Sequence, residues 1–287
     1  MATLKNTTIN DTGFLQLPTG TLAQRPGTAS AGMIRHNTSN NTIECHDGYT
    51  WFTVSSVGHT KDSLVIHVDA GISSSYSGSG STWYDLTGNG YHFTLQNSPT
   101  YNSAGYFTFN GSNQWARANV DNIIRSHAAW TFNSWFYYST STSGADFSLM
   151  TQPNYSDTND GYWQHFNISG SWLWRTEDAV NGEKGGTVAG TPFATGNWYF
   201  LTTIVKNNSL IYYINGAYYT AITPGGFAWS QLRTDSSTAY LDIGLGYAGS
   251  SNYYFNGIVS QFTVYNKELS ASEILQNYNW SRLRYGK

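Results

Sequence analysis

An all-β sandwich of jelly-roll type, preceded by a small β-meander, is what this 287-residue chain predicts. Short runs of alternating apolar and polar residues recur along most of it, punctuated by Gly, Asn, Ser and Asp, the pattern of strands and reversals. Tyr, Trp and Phe supply 16% of the residues and charged side chains only 11%, against a usual charged share of about 25%. Much of the rest is Ser, Thr, Asn and the 29 Gly, a composition suited to pleated surfaces and tight turns. One short helix is expected, at the C-terminus. Roughly a dozen strands with so little helix leave a sandwich or jelly roll as the architecture.

Residues 1 to 57 read apart from the rest. Gly13 to Pro18 is an extended segment closed by proline, and Thr19 to Ala31 is loop. Three strand-like runs follow, Met33 to His36, Ile43 to His46 and Tyr49 to Val54, with reversals at Asn37 to Asn41 and at Asp47-Gly48. Asp-Gly between such runs is a strong hairpin signal. This meander shows no core of its own, so it is expected to pack on something else.

Gly58 to Asp62 reads as a linker, and residues 58 to 287 as the sandwich. Ser63 to Gly71 is its first strand; a Ser/Gly-rich loop and the tight reversal Gly88-Asn89-Gly90 follow, glycine supplying the left-handed conformations. Trp130 to Tyr138 is too aromatic to face water on both sides. Phe147 to Thr151 precedes a hairpin from Tyr162 to Arg175 that turns near Ser169-Gly170. Trp198 to Val205, Leu210 to Ile214 and Ala217 to Ile222 form a meander, and Tyr240 to Gly244 leads to the last strand. Ile258 to Tyr265 alternates at period two, as a half-buried strand does. Ser270 then caps a helix with Glu273 as its capping-box partner, Ile274 and Leu275 being its apolar side chains.

The run from Phe255-Asn256-Gly257-Ile258-Val259 through Tyr265-Asn266-Lys267-Glu268-Leu269-Ser270 to Glu273-Ile274 closely resembles the end of laminin-G-like domains of the concanavalin A-like superfamily. Trp83-Tyr84-Asp85-Leu86-Thr87-Gly88-Asn89-Gly90 and Phe107 to Trp115 are similar to further stretches of that family, so the resemblance spans about 63 to 279. Thr87 stands where the family has Ser, and Asn110 and Gln114 stand where acids are common, which weakens metal binding there. The resemblance implies a concanavalin A-like jelly-roll β-sandwich, a fold of lectins and glucanases. A second resemblance covers roughly residues 13 to 55. The wording from Leu17-Pro18-Thr19-Gly20 through Arg25-Pro26-Gly27, Met33-Ile34-Arg35-His36 and Glu44-Cys45-His46-Asp47-Gly48 looks like a short module in structural proteins of tailed bacteriophages of marine and cyanobacterial type. His36 replaces the Tyr usual there.

Several functional classes lose their support. The net charge of -3 is spread without a basic stripe, which argues against nucleic-acid binding. No apolar run reaches membrane length and no secretory leader is expected. Cys45 is the single cysteine, so no internal disulfide forms. Glucanases of this superfamily align acids at alternate positions on one strand, and no such run occurs; Glu177 and Asp178 are adjacent and would face opposite sides. Neither H-x-H nor H-E-x-x-H appears, so zinc has no ligand pattern. The expectation is a non-enzymatic protein with no obligate cofactor. Calcium is a weak candidate at Asp157, Asn159 and Asp160, where a plain Asx-rich turn fits as well.

Sugar binding through aromatic faces fits best. Tyr155, Tyr162, Trp163, Trp172 and Trp174 cluster around a long polar loop. Trp172 and Trp174 alternate and share a face, which suits a core as well as a binding surface. Tyr155 and Trp163, at the loop edge, are the residues expected to be exposed. The two resemblances together imply a virion structural protein made in the host cytoplasm and carried on the particle surface. Residues 1–57 would dock it and residues 58–287 would display a lectin-like domain as a capsid decoration or head fibre. Its partners would be other virion proteins, further copies of itself and a host-surface glycan. A tail-fibre receptor-binding protein and a stand-alone carbohydrate-binding module are the alternatives.

Overall fold

The computed structural model describes residues 16–39, 42–54, 59–120, 126–139, 142–151, 160–166, 172–188, 192–232, 239–248 and 251–287. The chain divides into two compact units, Met1–Gly58 and His59–Lys287.

In the N-terminal unit, strands Ile34–Asn37, Thr42–His46 and Trp51–Val54 form an antiparallel meander. A two-residue strand, Thr19–Gly20, adds to it in parallel beside Ile34–Asn37. Register puts Arg35 opposite Glu44 on one face, and there Arg35, Asn37 and Glu44 are all buried. Glu44 accepts from Arg25 Nη2 at 2.6 Å and from Asn37 Nδ2 at 2.9 Å, with Arg35 Nε 3.5 Å away. The hydrogen bond from Arg25 holds the Glu44 carboxyl below the ordinary range. The unit therefore fills one face with an ionic cluster around Glu44 rather than with apolar side chains alone, Arg35 Nη1 being left without a partner among the described residues. Ile34, Ile43 and Phe52 occupy the other face and stay 47%, 41% and 46% exposed.

The second unit is a sandwich of two eight-stranded sheets. The first runs in the order Lys184–Thr187, Trp172–Glu177, Asp160–Phe166, Gly144–Thr151, Ala239–Ile243, Trp115–Asn119, Phe93–Gln96 and Thr82–Trp83. The second runs Ala217–Ile222, Ser209–Ile214, Asn197–Lys206, Ala129–Tyr138, Asn256–Tyr265, Tyr106–Asn110 and Thr100–Asn102, and Leu64–Asp69 pairs with the later half of Asn256–Tyr265. Between them lies one large cluster of aromatic and aliphatic side chains, among them Trp83, Phe107, Trp130, Phe147, Trp172 and Phe262.

A chain of buried hydrogen bonds crosses this core. Gln164 Nε2 donates to Asp146 Oδ2 at 2.6 Å. Gln164 Oε1 accepts from Tyr162 at 2.9 Å and from Thr203 of the opposite sheet at 3.1 Å. Tyr212, also opposite, meets the Tyr162 hydroxyl at 3.0 Å. All five residues are at most 2% exposed. Burial raises the Asp146 carboxyl to about 7, and it pushes both tyrosine hydroxyls upward as well.

The outer face of the second sheet is covered by the C-terminal segment. Ser270 and Glu273 form the expected capping box on the helix Ala271–Ser281, with Ser270 N donating to Glu273 Oε2 at 2.8 Å. Ile274 packs with Tyr265, Leu269 and Ile204. Trp135 stacks on Tyr285 at 4.0 Å and donates to Ser281 Oγ at 2.7 Å. Ile258 to Tyr265 is consequently buried on both faces from Val259 onward, not half-buried as its alternation suggests. Leu275 is 46% exposed and only Ile274 of the expected pair is buried. Ser270→Ala should lower stability by about 1 kcal/mol through loss of the cap; thermal denaturation of the variant checks it, and an unchanged midpoint would contradict it.

Candidate functional site

The Trp83 to Gly90 motif acts as a stitch along the edge of the first sandwich strand, Leu64–Asp69. Asp85 Oδ1 accepts from the backbone N of His67 at 2.9 Å, and Leu86 N donates to His67 O at 2.8 Å. Thr87 Oγ1 donates to Asp85 Oδ2 at 2.6 Å, and Asn89 Nδ2 donates to Val65 O at 2.9 Å. Gly88 and Gly90, at φ 86° and 82°, make the reversal that allows this. Side chains and a loop thus satisfy the strand-edge groups that another strand would otherwise pair. The stitch also fixes where Asn89 and Tyr91 lie.

Those two residues form one wall of a cleft of about 330 Å³, lined further by Ser63, Leu64, Val65, Ser126, His127, Trp130 and Asn266. The pairing of Leu64 with Tyr265 brings the first and last strands together, and Asn266 N donates to Ser63 O at 3.1 Å. Ser63 adopts φ 62°, a left-handed conformation that costs a non-glycine residue energy. Asn266 Nδ2 lies 3.1 Å from His127 Nε2, and Ser126 Oγ lies 2.6 Å from His127 Nδ1. A neutral ring with its proton on Nδ1 satisfies both contacts. The imidazole meets the Trp130 ring edge-on at 5.6 Å.

The expected site residues separate into three groups. Tyr162 and Trp172 are 0% exposed and Trp174 is 7%, all three within the sandwich core. Trp172 packs on Tyr212 and Phe193, and Tyr162 takes part in the buried polar chain. No sugar can stack on them, because the face shared by positions 162, 172 and 174 is the one facing the opposite sheet. Tyr155, Asp157 and Asn159 lie outside the described residues; Asp160 begins a strand, but its side chain is not among those described. Trp163 falls between Tyr162 and Gln164, which places position 163 on the outward face of the first sheet. In register it belongs to a row of Arg117, Asp242, Ser148, Trp163 and Arg175 across five strands.

The acids are engaged elsewhere. Asp242 takes a bidentate pair from Arg117, both bonds 2.7 Å. Asp178 is buried, accepting from the backbone of Val180, Asn181 and Ala228, so it organises a turn. Asp146 is sealed in the core. Among the described residues no group of three His, Cys, Asp or Glu side chains could hold a metal ion, and no helix is long and apolar enough to cross a membrane.

The fold is that of a lectin-type β-sandwich domain. The family described as the concanavalin A-like lectin/glucanases superfamily matches residues 109–275, over half of the chain, and the protein belongs to it. No protein of curated function matches the sequence. Among solved structures, the binding domain of botulinum neurotoxin serotype D is similar with TM-score 0.54 and 15% identity, over 76% of this chain and 52% of that one. The serotype D ligand-binding domain in complex with N-acetylneuraminic acid gives TM-score 0.53 and 16% identity, over 79% and 54%. The serotype G binding domain gives 0.52 and 13%, over 75% and 50%. The chain spans about half the length of these structures, and what it shares with them is the fold.

Proposed function

We propose that the protein is a non-enzymatic structural component of a tailed-phage virion. It sits on the capsid surface as a decoration or head-fibre protein, docking through its N-terminal unit and displaying a glycan-adhesive sandwich. The observation that carries this reading is the inverted character of the N-terminal sheet. One face is buried around the Glu44 ionic cluster, while Ile34, Ile43 and Phe52 leave an apolar face half exposed. A small sheet with an apolar face left in water suits an element that docks on a larger partner. The resemblance of residues 13 to 55 to phage virion modules names the class of that partner.

The non-catalytic part is supported by the acids. Glycoside hydrolysis needs two carboxyls flanking one bond, and Asp242, Asp178 and Asp146 are each committed to another structural contact. Adhesion without chemistry fits a lectin-type domain in many copies, where avidity multiplies a weak single site.

Phe52→Asp tests the docking role. It should abolish incorporation into particles while the sandwich keeps its circular-dichroism spectrum and melting midpoint, because Phe52 belongs to the other unit. Normal incorporation would sink the docking reading.

A further inference from the structure

We propose that the cleft between Asn89, Tyr91, His127 and Asn266 binds the end of an uncharged saccharide, one or two rings long. The inference deepens the glycan-adhesive part of the function above and rests on it. The volume of about 330 Å³ lies at the small end of ligand sites, which run from roughly 300 to 1,000 Å³. Its lining joins aromatic rings to amides and hydroxyls, the pairing that suits a sugar's apolar face and its hydroxyl groups.

Three polar atoms in this lining are engaged by no protein group among the described residues: the Tyr91 hydroxyl, Asn89 Oδ1 and Asn266 Oδ1. Both amides are nevertheless anchored through their nitrogens, Asn89 on Val65 O and Asn266 on the His127 ring. Their acceptor oxygens are therefore held in place before any ligand arrives. Pre-organised acceptors lower the cost of ordering on binding. The left-handed Ser63 beside them is a local strain retained at the same spot.

Charge decides the class of sugar. The described residues lining the cleft include no Lys, Arg, Asp or Glu. Lys267, next in sequence to Asn266, is taken up by Asp62 at 2.5 Å and by Glu273 at 2.8 Å, and Arg125, next to Ser126, lies outside the described residues. A carboxylated sugar would meet no Lys or Arg among the described lining residues, at a desolvation cost. Neutral hydroxyl-rich ends meet no such penalty.

The test is saturation-transfer NMR and calorimetry on the full chain with lactose, maltose, N,N′-diacetylchitobiose, mannobiose and 3′-sialyllactose. At least one neutral disaccharide should bind, with Kd on the order of millimolar for so small a site and little change at high salt. Tyr91→Ala and Asn266→Leu should each weaken it about tenfold or more. Ser126→Tyr, which fills the cleft from an exposed position, should do the same should either of the first two fail to fold. Binding of none of the neutral sugars, preference for 3′-sialyllactose over lactose, or binding unchanged in all folded cleft variants would overturn the assignment. Neutral-sugar binding lost only in Trp163→Ala would also overturn it, yet leave the adhesive function intact on the outward face of the first sheet.

Discussion

Replacing Asp146 by Asn should leave stability nearly unchanged around pH 4 and raise it markedly above pH 7. In the folded protein burial raises this carboxyl to about 7, from 3.8 in its ordinary state. The hydrogen bond from Gln164 Nε2 opposes the shift and does not cancel it. Below the ordinary value both folded and unfolded chains hold the proton, and the group exacts no penalty. As pH rises, the unfolded chain releases its proton first, so stability falls until the folded carboxyl also ionises near pH 7. Above that the loss is constant, on the order of 4 kcal/mol for a shift of this size. Asn keeps the acceptor for Gln164 without the charge. Urea denaturation of both proteins at pH 5 and pH 8 measures the difference, and parallel stability curves would refute the account. The buried His59 provides a useful contrast. Burial, and the neighbouring His67, push its imidazole well below the ordinary value. It therefore costs stability as pH falls below the ordinary histidine range, in wild type and variant alike, and cancels in the comparison.

Asp146 also shows where the sequence stops being informative. The sequence reading starts the strand at Phe147 and so leaves Asp146 outside it, and Gln164 is one more polar residue in a run rich in aromatics. That both turn inward follows from the β-bulge between Gly144 and Phe147 and from the pairing of Phe147 with Gln164, which are tertiary facts. The same limit explains the aromatic residues. Alternation correctly puts Trp172 and Trp174 on one face, but period two cannot say which face meets the other sheet. The strand and helix order was legible because turn residues punctuate it, and the capping box at Ser270 was legible because it is local. The cleft was not. Its walls come from positions 63–65, 89, 91, 126, 127, 130 and 266, which the stitch at Asp85 to Asn89 and the pairing of the first and last strands bring together. The signal that pointed nearest to it was Thr87-Gly88-Asn89-Gly90, readable as a turn but not as a stitch on a strand edge.

The second large effect is expected at Asp69, where the C-terminal tail is tied to the first strand. Asp69 is 1% exposed and accepts from Arg284 Nη1 at 2.6 Å, from Gly71 N at 2.8 Å and from Gln261 Nε2 at 2.9 Å. Arg284 also donates to Gly105 O at 2.7 Å and to Ser260 Oγ at 2.8 Å, and Tyr285 beside it stacks on Trp135. Asp69→Ala leaves the guanidinium without its counter-charge and takes one acceptor from the Gln261 amide, which keeps the His59 ring nitrogen at 3.1 Å. Breaking a buried pair on one side costs about 3–5 kcal/mol, and Arg284, whose side chain is 30% exposed, can recover part of its hydration. The expected loss is therefore near the lower end, about 3 kcal/mol. It should be accompanied by faster hydrogen exchange along Ala271–Ser281, because Arg284 and Tyr285, just beyond the helix, help to hold it to the sheet. Arg284→Ala alone should cost at least as much, since it strands the buried Asp69 carboxylate, and adding it to Asp69→Ala should cost little more, since the partner is already gone. A loss under about 1 kcal/mol for Asp69→Ala, or additive losses in the double variant, would show that the tail is held by the Trp135–Tyr285 stack and the Ile274 contacts without help from the charge pair.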